Sequence, residues 1–375
     1  MQVNGAPGMD GTSRSGGRLE AGMTEPLVPL SVLDLAPVGA GSTPALALRR
    51  AVELAQEAER LGYRRYWVAE HHNMPGIASS SPAVLLAHAA AATSAIRVGS
   101  GGVMLPNHAP LVVAEQFGML EALHPGRVDL GIGRAPGTDP LTASALRRTR
   151  DLSAEDFPQE LLQLLAFFDG SFPDEHPYHR ITAVPALGYR PAVWLLGSSD
   201  FSAQLAGMLG LPFSFAHHFA AANTDGAVAA YRATFRPSDA LERPYVMLGV
   251  AAIVAETEER ARWLAGPSGL AFLRLRQGHP GVYPTPEEAA EYRFTPSERE
   301  VMKAWTASHL VGDPEQVRDG LARLQARTGA DELMVTTMVH GHADRVRSYA
   351  LLADAMDLQP REARDTAGAS AVPDA

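Results

Sequence analysis

The chain contains no cysteine among its 375 residues, so disulfide bonds, thiolate metal ligands and cysteine nucleophiles are all excluded. Lysine is nearly absent as well, because Lys303 is the one lysine among 32 basic residues. The 42 acidic side chains give a net charge of −10, which disfavours sequence-independent binding to nucleic acid. No uninterrupted run of about 18–20 apolar residues occurs, so no membrane-spanning helix is predicted.

The two ends of the chain differ in composition from the region between them. Residues 1–25 are rich in glycine and serine and contain no apolar core of a signal peptide, so we predict a disordered segment there. The tail at 359–375 is predicted to be disordered for the same reason. Residues 26–358 are therefore expected to form the folded part of a cytoplasmic protein that binds neither membranes nor nucleic acid.

Short apolar segments alternate with amphipathic helical segments along the middle of the chain. Eight strands are predicted, each followed by helical sequence, at 31–35, 66–69, 96–100, 127–132, 193–196, 213–216, 245–254 and 332–336. Eight such units predict a single (β/α)8 TIM barrel with a parallel sheet. An open doubly wound sheet is the alternative, but the loop at 36–41 lacks its glycine pattern. Insertions in the βα loops near 135–190 and 266–300 are predicted to be binding or lid loops.

Candidate site residues follow the predicted strands, because the active sites of such barrels lie at the carboxyl ends of the strands. His71 comes after the second strand, and its neighbour His72 is expected to point to the opposite side. The two histidines are therefore poor joint ligands for a metal, although a metal-dependent hydrolase that uses them with Glu70 stays an alternative. Gly101 and Gly102 come after the third strand, where missing side chains allow a ligand to approach the backbone.

Two further segments favour an anion-binding site. Arg134 follows the fourth strand between small residues, where a guanidinium is well placed to bind phosphate. Ser198 and Ser199 follow the fifth strand and lead directly into a helix, whose first amide groups attract anions. These residues fit a phosphorylated cofactor that lies across the barrel mouth with its reactive ring near His71. They leave the identity of the cofactor open.

At these motifs the sequence resembles the bacterial luciferase-like flavin monooxygenase family. The resemblance runs from about residue 29 to 356 and includes, in order, WVAEHHN (67–73), IRVGSGGVMLP (96–106), GRVDLGIGR (126–134), GTD (137–139) and LLGSS (195–199). It implies a TIM barrel that binds reduced FMN and uses O2. Within the family, the chain is similar to oxygenases that tailor aromatic polyketides in antibiotic biosynthesis, a mensacarcin-pathway enzyme among them.

The resemblance also assigns roles to individual residues. It makes His71 the catalytic histidine beside the flavin and places a bulge, often with a cis peptide, at Gly101–Gly102. The residues that would bind FMN through its phosphate are Arg134, Ser198, Ser199 and Ser202. A second phosphate-binding arginine of the family falls at Ser144 in this chain, and Arg147 or Arg148 one turn later is a candidate replacement.

The implied activity is the insertion of one oxygen atom into a bulky, apolar and aromatic substrate through a flavin C4a-hydroperoxide. A separate reductase would supply FMNH2, because the sequence has no NAD(P)H-binding fingerprint, and the resemblance implies a homodimer. An F420-dependent oxidoreductase of the same fold and a flavin-binding protein without turnover stay as alternatives. Residues expected to line the substrate site are Phe213, Phe215, Phe219, Phe272, Tyr283 and Met338, with His217 and His218 at its rim.

Overall fold

The computed structural model describes residues 28–135, 137–146 and 156–360. The strands within these ranges are β1 (Leu30–Asp34), β2 (Arg65–Val68), β3 (Arg97–Met104), β4 (Val128–Gly133), β5 (Ala192–Gly197), β6 (Phe213–Phe215), β7 (Val246–Val254), β8 (Leu310–Gly312) and β9 (Glu332–Thr336). The predicted disordered segments fall outside the described residues, apart from Gln359 and Pro360, and so do Arg147 and Arg148.

The helices alternate with the strands. They are α1 (Pro44–Arg60), α2 (Pro82–Ala92), α3 (Pro110–Leu123), α4 (Pro140–Leu146), α5 (Phe157–Asp169), α6 (Asp200–Met208), α7 (His217–Ala220), α8 (Thr224–Thr234), α9 (Glu258–Arg276), α10 (Pro286–Glu291), α11 (Pro296–Thr306), α12 (Pro314–Thr328) and α13 (His342–Ala355), with short 3-10 helices at Leu105–Asn107 and Ala221–Asn223. No helix in the described ranges has the length and apolar character that crossing a bilayer requires.

Eight of the strands close a parallel barrel, which confirms the predicted fold. Strands β1 to β7 pair with their neighbours in chain order, and β9 completes the ring by pairing with both β7 and β1. The remaining strand, β8, was not predicted. It pairs only with the carboxyl-terminal end of β7, where Leu310 lies opposite Ala252, and it stands outside the ring.

Local capping signals explain why the helices begin and end where they do. The hydroxyl of Thr43 accepts a hydrogen bond from the amide of Leu46 at 3.2 Å, and Pro44 occupies the first position of α1. Asp313 and Gln316 form a reciprocal capping box at the start of α12. The same helix ends at Gly329, whose φ of 61° is in the left-handed region that favours glycine.

The segment at 266–300 is not the long loop that its proline and glycine content predicted. It is mostly helical, because α9 continues through Pro267 and is followed by α10 and α11. The prolines Pro286 and Pro296 occupy first helical positions, where their fixed φ and missing amide proton are favourable, so they start helices here. Helices α10 and α11 pack against α9, beside the carboxyl ends of the strands.

The amino-terminal end of the barrel interior is filled by a buried cluster of charged side chains. The guanidinium of Arg65 on β2 lies 2.8 Å from Oδ2 of Asp129 on β4 and 3.0 Å from Oε1 of Glu332 on β9. Arg97 on β3 contacts Asp129 at 2.6 Å, and the hydroxyl of Tyr245 donates to Glu332 at 2.8 Å. Because both carboxylates lack solvent, their charges depend on these partners.

A layer of large apolar side chains lies above the charged cluster inside the barrel. The rings of Trp67 and Trp194 meet edge to face with their centroids 5.3 Å apart, and Arg65 lies 4.8 Å from the Trp194 ring. The other members of this layer include Leu33, Met247 and Met334. The layer closes the barrel from below, so open space is left at the carboxyl ends of the strands.

Replacement of Arg65 by methionine is expected to destabilise the protein strongly, because Asp129 and Glu332 would stay buried without their shared cation. The expected loss is about 3–5 kcal/mol in the free energy of unfolding, measured by urea denaturation. Arg190→Met is the matched control, since Arg190 pairs with Asp169 at the surface and its loss should cost less than about 1 kcal/mol. Equal effects of the two substitutions would show that the cluster does not hold the barrel together.

Candidate active site

An apolar cavity opens at the carboxyl ends of the barrel strands. Its volume is about 540 Å³, which is within the range of small-molecule sites. The tryptophan layer supplies its floor through Leu33, Trp67 and Met334, and α9 supplies part of its cover through Phe272 and Leu275. We call this space the main cavity.

Glycine residues form one wall of the main cavity. The peptide between Gly101 and Gly102 is cis, and the register of β3 against β4 shifts between Gly101 and Val103, so the expected bulge and cis peptide are both present. A Cβ atom at Gly101 would lie 2.6 Å from Cδ1 of Leu33, and one at Gly102 would lie 2.7 Å from the carbonyl oxygen of Gly131. The packing therefore requires glycine at both positions. Gly101 lines the main cavity with its backbone, whereas Gly102 is buried against β4 and lies outside the cavity lining, so the structure does not place it where a ligand of this cavity would contact it.

His71 lines the main cavity and has an unused ring nitrogen. Its Nδ1 atom is buried and has no hydrogen-bond partner among the described residues. Burial lowers the pKa of His71 to about 4, because the imidazolium would lack solvation there. The ring is therefore neutral at neutral pH, and a buried nitrogen without a partner is available to a bound molecule.

His72 points away from the main cavity, as the alternation along a strand predicts. Its Nε2 lies 2.8 Å from Oε1 of Glu70, and Nε2 of His108 lies 2.8 Å from the same oxygen. The amide of Met104 donates to Oε2 at 3.1 Å. Burial opposes ionisation of Glu70, but the hydrogen bonds from His108 and His72 prevail and lower its pKa. We call Glu70, His72 and His108 the Glu70 cluster. Through the bond from Met104 it connects the end of β2 with the end of β3.

The Glu70 cluster does not take the arrangement of a metal site. Within the described ranges, no group of three or more histidine, aspartate or glutamate side chains has a geometry that could hold a metal ion. Both neighbouring imidazoles are bound to one carboxylate oxygen, and His71 faces a different space. The geometry therefore does not support the alternative of a hydrolase built on Glu70, His71 and His72. Sequence reasoning missed His108, which lies 38 positions from Glu70.

The predicted phosphate-binding residues come together on another wall of the main cavity. The guanidinium of Arg134 lies 4.3 Å from the ring of Phe201 in the first turn of α6, and no ion pair within the described part of the chain involves it. Ser199 precedes α6 without a side-chain capping bond, so its hydroxyl is available to a ligand. Cavity residues of this wall are Arg134, Ser198, Ser199 and Ser202. Ser144 lies on α4, exposed and outside the cavity lining.

Most of the predicted substrate-site residues line the main cavity, and two do not. Phe213 packs outside the barrel against Tyr231 of α8, with ring centroids 5.4 Å apart, because its neighbour Ser214 faces inward and adjacent residues of a strand face opposite sides. His217 faces a second cavity of about 830 Å³, and its Nδ1 lies 2.7 Å from Oγ1 of Thr224. The residues placed as expected are Phe215, Phe219, Phe272, Tyr283, Met338 and His218.

Sequence reasoning missed Trp305 and His309, which also line the main cavity. They follow residues 266–300, for which the sequence predicts a loop, and a loop gives no prediction of where the next residues lie relative to the barrel. Trp305 lies in the last turn of α11, which ends at Thr306, and His309 lies beyond that end, so helical spacing gives no signal that the two belong to one site. Their rings meet edge to face with centroids 5.5 Å apart.

The chain is similar to known proteins over most of its length. Residues 28–332 match the family model described as luciferase-like monooxygenase. YvbT of Bacillus subtilis is 50% identical over 87% of this chain and 96% of its own length, and a luciferase-like monooxygenase of Escherichia coli K12 is 45% identical over 88% and 98%. The crystal structure of apo-MsnO8 has a TM-score of 0.78 and 41% identity, and the match covers 89% of this chain and all of that one.

Other similar proteins carry more specific descriptions. The N-acetyl-S-alkylcysteine monooxygenase of Bacillus subtilis is 35% identical over 88% of this chain and 98% of its own length. Two structures share the fold alone: an oxygenating constituent of 3,6-diketocamphane monooxygenase in complex with FMN (TM-score 0.68, 18% identity, 88% of this chain and 97% of that one) and an F420-dependent secondary alcohol dehydrogenase (TM-score 0.65, 13% identity, 88% and 99%). Proteins of this fold therefore include both FMN-bound and F420-dependent ones.

The depressed pKa of His71 predicts that the folded protein loses stability as the pH falls from about 6.5 towards 4. Over that range the unfolded chain binds a proton at this position and the folded chain does not. For His71 alone the loss at pH 5 is about 2 kcal/mol in the free energy of unfolding.

Urea denaturation at pH 7 and pH 5 tests this expectation. His71→Gln should lose less stability than the parent protein between the two values, by the amount that His71 contributes. His279→Gln, at an exposed position, should lose as much as the parent. A His71→Gln variant that responds to pH as the parent does would contradict a buried neutral imidazole.

Proposed function

The chain belongs to the luciferase-like monooxygenase family, and we propose that it uses reduced FMN and O2 to insert one oxygen atom into a bulky, apolar and aromatic substrate. The observation that carries the proposal is the composition of one cavity. One arginine with three serines, a glycine wall and a neutral histidine surround the same apolar space of about 540 Å³. Each of these three features suits a different part of a flavin mononucleotide.

The wall that begins α6 suits the phosphate. Arg134 supplies a permanent positive charge, and Ser198, Ser199 and Ser202 supply hydroxyl groups beside the amino-terminal end of a helix. Charge-assisted hydrogen bonds from a guanidinium together with helix amide groups are a common way to bind phosphate in proteins. This donor set therefore fits the anionic end of FMN.

The opposite part of the cavity suits the ring system. The absence of a side chain at Gly101 lets a flat ring approach the backbone, and His71 would then lie at the edge of that ring. Its neutral imidazole can accept a proton at Nδ1 or hold a hydrogen bond there. Such proton transfer would assist the reaction without a change in the charge of the resting site.

When bound, reduced FMN would supply two electrons to O2, so that one oxygen atom enters the substrate and the other leaves as water. The protein would exclude bulk water by its apolar walls and orient the substrate against the flavin. A separate reductase is proposed as the source of reduced FMN, because no NAD(P)H-binding fingerprint is present in the sequence. A polyketide-like substrate is proposed from the resemblance and from the aromatic cavity walls.

A homodimer is part of the same proposal. Helices α2 and α3 carry large apolar side chains that face solvent in one protomer: Val84 is 61% exposed, Val112 45%, Met119 54% and Leu123 67%. Exposed apolar residues grouped on adjacent elements are typical of protein–protein interfaces. These two helices lie outside the barrel, away from the residues proposed to bind FMN, so pairing through them would leave the cavity open.

Substitution of Arg134 by alanine is expected to weaken FMN binding about ten- to a hundredfold, because one charge-assisted contact to phosphate is lost. Quenching of FMN fluorescence on titration with the protein measures the affinity. Arg190→Ala, which removes an exposed guanidinium from the surface pair with Asp169, should leave the affinity unchanged. Unaltered FMN binding by the Arg134 variant would remove this residue from the phosphate site.

The same titration with F420 distinguishes the two cofactors. Tighter binding of F420 than of FMN, together with no O2 uptake in the presence of reduced FMN, would contradict the proposed cofactor and favour an oxidoreductase of the same fold.

His71→Ala is expected to lower the rate of oxygen insertion by about 10²- to 10⁴-fold, because a proton-transferring group is lost. The affinity for FMN should change little. The measurement is the yield of oxygenated product from a panel of polycyclic aromatic compounds supplied with reduced FMN and O2. His72→Gln keeps an amide donor for Glu70 and should retain most of the activity. Equal loss in both variants, restored by added metal ions, would instead favour the hydrolase alternative.

A further inference from the structure

Two histidines of the main cavity have no part in the proposed flavin site. His218 lies at the start of α7, after β6, and His309 lies between α11 and β8. Nδ1 of His218 is 3.2 Å from the carbonyl oxygen of Gly249, and Nε2 of His309 is 3.3 Å from the carbonyl oxygen of His218. Because a carbonyl oxygen can only accept, both of these ring nitrogens carry a proton and donate it.

The hydrogen bonds to the backbone fix the role of the remaining ring nitrogens. Burial lowers the pKa of His218 to about 4 and also lowers the pKa of His309, so both rings are neutral at neutral pH. In a neutral imidazole one nitrogen donates and the other accepts. Nε2 of His218 and Nδ1 of His309 are therefore acceptors, and no hydrogen bond within the described residues uses either atom.

The surroundings of the two rings are aromatic and closely packed. His218 meets Phe219 edge to face at 4.7 Å between centroids, and His309 meets Trp305 at 5.5 Å. Gly249 makes room for the first of these rings, because a Cβ atom there would lie 2.8 Å from Nδ1 of His218. The position of His218 thus depends on a glycine in β7, and the acceptors lie in a wall that favours flat apolar ligands.

We propose, as an inference that rests on the proposed function, that His218 and His309 form a subsite for the hydroxyl group of a hydroxylated aromatic substrate. The subsite accepts a hydrogen bond from a phenolic or naphtholic O–H, while the aromatic walls bury the ring that carries it. One phenolic O–H satisfies one of the two acceptors, whereas a ligand without a donor satisfies neither, and this one hydrogen bond is the source of discrimination. The subsite therefore selects hydroxylated rings over their ethers and over unsubstituted hydrocarbons.

The test compares three probes on the full chain without flavin. They are 2-naphthol, 2-methoxynaphthalene and naphthalene. The last two lack an O–H group, and one is larger and the other smaller than 2-naphthol, so a difference in size alone cannot explain a preference for 2-naphthol. Isothermal titration calorimetry should give about three- to tenfold tighter binding of 2-naphthol than of either other probe, which corresponds to one net hydrogen bond. Equal affinities for all three probes would overturn the subsite.

Variants assign the preference to the two histidines. His218→Phe and His309→Phe should each reduce the preference for 2-naphthol over 2-methoxynaphthalene, and the double variant should abolish it. The affinity for 2-methoxynaphthalene should stay within about twofold of that of the parent protein. His217→Gln is the matched control, because the adjacent histidine faces the second cavity, and it should keep the preference. His218→Leu replaces His218→Phe if the circular dichroism spectrum shows that the latter is unfolded. A preference that persists in the folded double variant would also overturn the assignment.

Titration with FMN keeps this inference separate from the proposed function. If the protein prefers 2-naphthol but does not bind FMN, the proposed flavin monooxygenase activity is refuted and the proposed subsite is retained. A protein that binds FMN but does not distinguish the three probes would refute the subsite alone.

Discussion

The contact of Arg65 with Asp129 and Glu332 is the interaction on which the barrel interior depends. It joins β2, β4 and β9 at their amino-terminal ends, which are far apart in the sequence. Because three charges are buried together, each one needs the others, and the cluster therefore fixes how the strands face one another. The tryptophan layer packs directly upon it, with Trp194 against the guanidinium. The space above that layer is consequently restricted to the carboxyl ends of the strands, where the main cavity lies.

The two adjacent histidines that follow β2 have different positions and different contacts. His71 turns into the main cavity with an unsatisfied nitrogen, whereas His72 turns towards Glu70. Through Glu70 the second histidine is connected to His108 and to the amide of Met104, at the end of the strand that contains the cis peptide. One carboxylate thus connects the residue that follows His71 with the strand that forms the glycine wall. A flavin bound against that wall would contact two elements whose separation is already set.

The fold could be predicted from the sequence wherever the signal is local. Alternating apolar and amphipathic segments predicted the barrel units, and the predicted strand ends located Arg134 and the serines, because strand ends converge in a closed barrel. The helical nature of 266–300 was not predictable from composition, since proline is favourable at a helix start and unfavourable within one. His108 and His309 were missed for another reason. Their contacts join positions 38 and 91 residues apart, and one sequence contains no record of such pairing.

The two halves of the cavity come from separate stretches of the chain. The glycine wall, His71, Arg134 and the serines all precede residue 203, whereas the aromatic wall with His218 and His309 follows residue 214. Helices α9 to α11, which supply Phe272 and Trp305, form one contiguous excursion between β7 and β8 that contributes no strand to the ring. The residues of one half can therefore be substituted in evolution without a change in the other half. A lineage can exchange this single excursion and acquire a new repertoire of ligands, while the cavity wall of Arg134 and the serines stays unchanged.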